Sequence, residues 1–341
     1  MSEVGEFGLI DVVAGMVAAG EKKGEAWDRL IVGIGDDAAA WHSEPGIQLA
    51  TIDALVQDVH FRLGMISWEE LGWKSLAVNL SDIAAMGGLP RYALVSLALP
   101  QNTDVRDIVL FYQGMLTLAR QFEVAVVGGN ISLAPVVTVN VAVLGSTEGP
   151  GGRLLKRAAA RPGDKVAVTG SLGGAAGGLE MLERGLEFDT ESTAALRRAF
   201  LRPFPRVKEA RILVTKGVKA GIDISDGLVS DLSHICEASR LGATIQTDLI
   251  PVAQSLNANF GPKAADMALS GGEDYELLFT APAHVVEAAA TALEGSGCGV
   301  TVVGEMTLTG DTAVTLLDEN GQEFTPATSG WDHFGAEKHG A

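Results

Sequence analysis

A chain of two domains, each built from mixed α/β (α+β) layers, is predicted by three features of the sequence. Its 341 residues exceed what a single hydrophobic core ordinarily serves. Apolar strand-like runs alternate with helix-period segments in both halves, the pattern of sheets covered by helices. Between the halves lies Ser146 to Gly152, reading Ser-Thr-Glu-Gly-Pro-Gly-Gly, a composition suited to a linker. The expected boundaries are 1–148 for an N-terminal domain, 153–335 for a C-terminal α/β domain and 336–341 for a tail.

In the first half, strands are expected over 47–52, 93–99, 124–127 and 136–144. In the last of these, Val137, Val139, Val141 and Val143 alternate with Thr138, Asn140 and Ala142, the period of a half-buried strand. Helices are expected over 68–86 and 104–121. Ser67 is placed to cap the first, with Glu69 and Glu70 in its opening turn, where the helix dipole favours acids. Leu76, Leu80 and Ile83 form its apolar stripe, and Ser75, Asn79 and Asp82 repeat the same spacing beside it. Short polar side chains inside an apolar segment suit a buried functional face; a solvated face would carry longer charged ones. In the second half, strands are expected over 165–169, 243–246, 275–280, 300–303 and 313–317. Helices are expected over 175–184, 192–201, 205–216, 228–241 and 283–293.

The composition is that of a globular chain, 47% hydrophobic and 20% charged. A net charge of −18 excludes nucleic acid as a partner, because a phosphate backbone needs a basic face. It does not exclude a nucleoside triphosphate, since Mg²⁺ inverts the local sign. Cys236 and Cys298 are far apart in sequence and lack zinc or redox spacing, so both are expected to be buried, reduced thiols. The start, Met1-Ser2-Glu3-Val4-Gly5-Glu6, lacks the features of a signal peptide, and no apolar run is long enough to span a bilayer. A cytoplasmic protein with no membrane partner is expected.

Five short acidic stretches carry the chemistry: Gly35-Asp36-Asp37, the segment from Ile52-Asp53 to His60, Asn79-Leu80-Ser81-Asp82, Asp223-Ile224-Ser225-Asp226-Gly227 and Gly271-Gly272-Glu273-Asp274. Each lies where a strand-like run or a helix meets a turn. Carboxylates placed there can hold hard divalent cations, and Mg²⁺ usually shares its octahedron with substrate phosphates. No P-loop lysine motif occurs, so a nucleotide would be held through metals and backbone. Asp223 and Asp226 stand before the helix expected at 228, and with Asp231 they make three acids in nine residues, more than a cap needs. A helix N-terminus there also attracts phosphate. Gly128-Gly129-Asn130 is expected to follow the strand over 124–127, with glycines letting the backbone approach a ligand. Lys156 and Arg157, just after the linker, are the nearest cations for a nucleotide phosphate. Together these stretches suggest several Mg²⁺ ions in a pocket made from both domains.

The ordered motifs resemble the thiamine-monophosphate kinase family, within the aminoimidazole-ribonucleotide synthetase-like superfamily. They are Gly5-Glu6-Phe7-Gly8-Leu9-Ile10, Gly33 to Ala39, Ala77 to Gly87, Asp223 to Leu228, Ser270 to Leu277 and Gly330-Trp331-Asp332-His333-Phe334. The resemblance implies an N-terminal domain that dimerises through its strands and a C-terminal α/β domain, with ATP near the dimer interface. It implies in-line transfer of the γ-phosphoryl group of ATP to thiamine monophosphate, in thiamine diphosphate biosynthesis, assisted by several Mg²⁺ ions. Asp53, Asp82 and Asp226 are implied to be catalytic. Metal contacts are implied at Asp37, Thr51, Ile52, Asp53, Asp82, Asn130, Asp223 and Asp226. ATP contacts are implied at Gly128, Gly129, Asn130, Arg157 and Ser225. His60, Glu273 and Trp331 are implied to hold thiamine monophosphate, Trp331 offering an aromatic face to the thiazolium cation. Two positions depart from the family pattern: Ile52 replaces a threonine before Asp53, and Asn130 replaces an aspartate. These departures leave open a binding protein that has lost turnover. A superfamily synthetase of another kind is disfavoured by the lack of a reactive N-terminal cysteine.

Overall fold

The computed structural model describes residues 5–20, 22–34, 38–43, 45–149, 152–308 and 313–325. The expected metal ligand Asp37 and the expected substrate contact Trp331 lie outside the described residues. The chain divides into two compact units, Met1–Arg153 and Leu154–Ala341.

The first unit opens with helices α1 (Gly5–Ala19) and α2 (Glu25–Arg29) and the short strands β1 (Leu30–Val32) and β2 (Ala40–Trp41). Strand β3 (Gln48–Val56), helix α3 (Trp68–Ala85), strand β4 (Leu89–Leu99) and helix α4 (Val105–Gln121) follow. Strands β5 (Ala125–Leu133) and β6 (Thr138–Ser146) complete it. Four strands form a sheet in the order β3-β6-β4-β5, with β4 and β5 parallel and the other pairings antiparallel. The expected valine alternation in β6 holds: Val139, Val141 and Val143 are buried on the side where α3 packs. Helix α3 begins with a full capping box between Ser67 and Glu70. Of its expected polar stripe, Ser75 and Asn79 are buried and Asp82 is partly buried.

Two expected boundaries move, both for the same reason. Strand β3 runs on to Val56, so Asp53 stands inside a strand and not at its end. Strand β5 runs on to Leu133, so Gly128, Gly129 and Asn130 lie within it and not after it. Hydrogen bonding to a neighbouring strand carried both past their apolar runs. Gly129 is fixed by that pairing: a Cβ there would stand 1.8 Å from the Val95 carbonyl oxygen. Its missing side chain lets β5 approach β4, whatever else it admits.

The second unit contains β7 (Lys165–Thr169), α5 (Gly174–Arg184), α6 (Thr190–Leu201), α7 (Val207–Lys216) and β8 (Ala220–Asp223). Next come α8 (Leu228–Ser239), β9 (Gly242–Gln246), α9 (Gln254–Phe260), α10 (Lys263–Ser270) and β10 (Leu277–Ala281). Helix α11 (Ala283–Glu294) and strands β11 (Val300–Thr307), β12 (Val314–Leu317) and β13 (Glu323–Phe324) end it. Its seven-stranded sheet has the order β13-β12-β9-β11-β7-β10-β8. The apolar stripe of α8, Leu228, Leu232 and Ile235, is fully buried against Val166, Val168, Ile222 and Leu278. Strand β8 escaped the sequence reading because Ala220-Gly221-Ile222-Asp223 has little apolar pattern of its own. Pairing with β10 makes it a strand.

Candidate active site

Two groups of carboxylates emerge, one in each unit. In the first, the period of β3 sends Thr51 and Asp53 toward α3 and Ile52 the other way. The Thr51 hydroxyl donates to Asp82 Oδ2 on α3. The Asp53 amide donates to Asn79 Oδ1 at 3.1 Å, and Asn79 Nδ2 donates to the Ser75 carbonyl at 3.0 Å. Asn79 therefore locks helix to strand. Burial chiefly, and the Asp82 charge secondarily, push the Asp53 carboxyl up to about 6. Two carboxyls and a hydroxyl, all hard oxygen donors, converge where a proton is held against repulsion. That donor set fits Mg²⁺.

This arrangement brings only some of the implied metal contacts together. Ile52 is 67% exposed on the far face of the sheet, so its side chain adds nothing to the Asp53 group. The hydroxyl thought lost at Ile52 is supplied by Thr51. Asn130 lies in the register row of Ser96, Asn140 and Ala54, on the face opposite Asp53. Three strand spacings, roughly 14 Å, also separate it from β3. It does not join the Asp53 and Asp82 group, and Gly128, in the row of Leu94, Ala142 and Ile52, shares its face. His60 stands in the turn after β3, where its Nδ1 accepts the Val56 amide at 3.0 Å. A neutral His60 therefore carries its hydrogen on Nε2.

In the second unit, β8 ends at the buried Asp223, and the loop Ile224 to Gly227 leads into α8. The segment Gly271 to Glu276 runs alongside it. Ile224 and Tyr275 are joined by the Tyr275 amide to Ile224 carbonyl bond at 2.9 Å, and the Glu273 amide donates to Ser225 oxygen at 2.8 Å. Glu273 and Tyr275 both have left-handed backbones, with φ of 68° and 51°. Flanking anchors hold that strain. The partly buried Asp274 accepts the Gly173 and Ala175 amides at the start of α5, at 2.6 and 3.1 Å. Glu276 takes a bidentate pair from Arg206 and the Thr169 hydroxyl at 2.7 Å. Burial first pushes Asp274 up to about 7, against its amide bonds.

Asp231, one turn inside α8, is 1% exposed, and its Oδ2 accepts three consecutive amides: Ser225 and Asp226 at 3.0 Å and Gly227 at 3.2 Å. Burial, then the Asp223 charge, push its carboxyl up to about 8. The expectation that this helix start attracts phosphate therefore fails for these amides, which already have an acceptor. One ligand atom each from Asp226, Asp231 and His234 lie within 4.8 Å of one another. The sequence reading missed His234, although its spacing of three from Asp231 on a helix puts both on one face. Arg157 is not brought to this loop: its carbonyl accepts the Ser239 hydroxyl at the opposite end of α8, about 16 Å along the axis.

Comparison with known proteins decides the family. AIR synthase related protein, N-terminal domain, matches residues 35–147, and AIR synthase related protein, C-terminal domain, matches 161–316. The thiamine-monophosphate kinase of Escherichia coli (strain K12) is 38% identical over 306 residues, 89% of this chain and 92% of its own length. The chain belongs to the thiamine-monophosphate kinase family. The family enzyme of Bacillus subtilis (strain 168) is 40% identical over 253 residues, 73% of this chain and 77% of its own. Among solved structures of the family, that from Stenotrophomonas maltophilia K279a is 34% identical with a TM-score of 0.80, covering 90% of this chain and 95% of that one. AaThiL complexed with AMPPCP and TMP is also 34% identical, with a TM-score of 0.75 and 98% of both chains covered.

Proposed function

We propose that this chain transfers the γ-phosphoryl group of ATP to thiamine monophosphate, releasing ADP and thiamine diphosphate. An oxygen of the acceptor phosphate forms the new bond to γ-phosphorus as the bond to the bridging β,γ-oxygen breaks. Membership of the family over most of the chain supports this, and the Thr51, Asp53 and Asp82 group carries it at the level of chemistry. When bound, Mg²⁺ supplies the charge neutralisation that lets two anions approach. Asp53, Asp82 and Thr51 would hold it in the first unit, with Asp37, and Asp223 and Asp226 in the second. Ser225, Gly128, Gly129, Asn130 and Arg157 are proposed for ATP, Asn130 and Gly128 from the open face of the sheet. His60, through Nε2–H, and Glu273 and Trp331 are proposed for thiamine monophosphate. The acceptor phosphate ionises with a second pKa of about 6, so no strong general base is needed.

We further propose a homodimer formed through the open face of the four-stranded sheet, where Ile52 is 67% exposed. Among the described residues no helix is long and apolar enough to cross a membrane. A cytoplasmic setting is proposed, which keeps the buried free thiols Cys236 and Cys298 reduced. The test is ADP release across a Mg²⁺ titration, with thiamine monophosphate and thiamine as parallel acceptors. Thiamine diphosphate is expected from the monophosphate alone. No product at saturating Mg²⁺, with calorimetry showing that both ligands bind, would establish a binding protein instead.

A further inference from the structure

We infer that Asp231 is a positioning residue, which sets the carboxylate loop Asp223 to Gly227 for a cation by taking up the loop's own amide hydrogens. The inference rests on the proposed Mg²⁺ site at Asp223 and Asp226. Three successive N–H groups before a helix would otherwise form an anion-binding hollow. Here all three converge on one buried oxygen, Asp231 Oδ2, at 3.0 to 3.2 Å. The loop is left presenting carboxylates, not amide hydrogens.

The surroundings make this hold tight. Gly227 has φ of 112°, and a Cβ there would stand 2.7 Å from the Ser270 carbonyl oxygen. A Cβ on Gly272 would stand 2.3 Å from the Ser225 carbonyl oxygen. The Ser225 carbonyl is itself engaged by Glu273. The amide and the carbonyl of Ser225 are thus both pinned, the one by Asp231 and the other by Glu273. Its position at the fourth residue of α8 lets the helix carry it back over its own start.

The experiment compares Asp231→Ala, which removes the acceptor, with Asp231→Asn, whose carboxamide oxygen still reaches the amides. Mn²⁺ binding to the full chain without nucleotide is read by electron paramagnetic resonance, and turnover is read alongside it. Asp231→Ala should weaken Mn²⁺ binding about tenfold, the low end for groups that orient metal ligands. Asp231→Asn should stay within about threefold of the wild type, within the scatter of a retained acceptor. Wild-type Mn²⁺ binding in Asp231→Ala overturns the inference. Equal loss in both variants also overturns it, since charge and not amide anchoring would then matter. Should Asp231→Ala fail to fold, Asp231→Glu replaces it: its longer arm must displace the loop, and binding as strong as in Asp231→Asn refutes the role. A wild type that binds Mn²⁺ but forms no thiamine diphosphate would sink the proposed activity while leaving this comparison intact.

Discussion

Asp53 and Asp82 illustrate how much chemistry a single strand period decides. An unfolded aspartate gives up its proton near the ordinary value of 3.8, whereas Asp53 in the fold holds it to about 6. Between those values the folded chain binds more protons than the unfolded one. This carboxyl's contribution to stability therefore falls as pH rises through that window, then levels off above about 6. Mg²⁺ competes for the same oxygens. The rise in melting temperature on adding Mg²⁺ should be small below the raised value and large above it, and thermal melts across pH check this. A pH-independent Mg²⁺ effect would separate Asp53 from the metal. Asp82→Ala should abolish turnover while leaving circular dichroism and melting close to wild type, since the side chain is only partly buried. Thr51 and Ile52 were both implied as metal contacts, and strand alternation decides that the Thr51 side chain, not that of Ile52, faces the helix.

Helices and strands were more legible than the loops that join them. Helix α3, with its cap and its two stripes, was readable because propensity, capping and periodicity agree over eighteen residues. Strand β8 was not, since its four residues are a strand only by virtue of β10. The loops before α8 and β10 were visible as motifs, but their mutual hydrogen bonds join Ile224 and Ser225 to residues about fifty positions away. Arg206 and Glu276 stabilise that junction from behind. Arg206 is 23% exposed and Glu276 8%. Arg206→Ala would leave a buried carboxylate without its partner and should cost ~3 kcal/mol, the low end for a broken buried pair. The midpoint of denaturant unfolding measures it, and a shift below a third of that would mean Thr169 and water suffice for Glu276.

The two units present their surfaces differently. In the first, one face of the sheet is covered by α3 and α4, while Ile52 and Ala54 remain exposed on the other. A sheet face of that kind is a liability unless a partner covers it. Ile52→Glu should convert the proposed dimer to monomer in sedimentation experiments while leaving the Asp53 group intact, because the two side chains point apart. A dimer that persists in that variant would move the interface elsewhere. A departure from the family pattern that looked like damage to the metal site thus reads as part of an apolar surface.

By itself the sequence determined the division into two α/β units, most of the helices, the acidic motifs and the family, because these depend on local periodicity and on residue order. Only the tertiary structure decided which side chains share a face: Thr51 with Asp53 and Asp82, Asn130 apart from them, Asp231 over the amides of its own helix start, Arg157 at that helix's other end. Such choices depend on strand register and on hydrogen bonds between segments remote in sequence, and a one-residue change of register reverses every face.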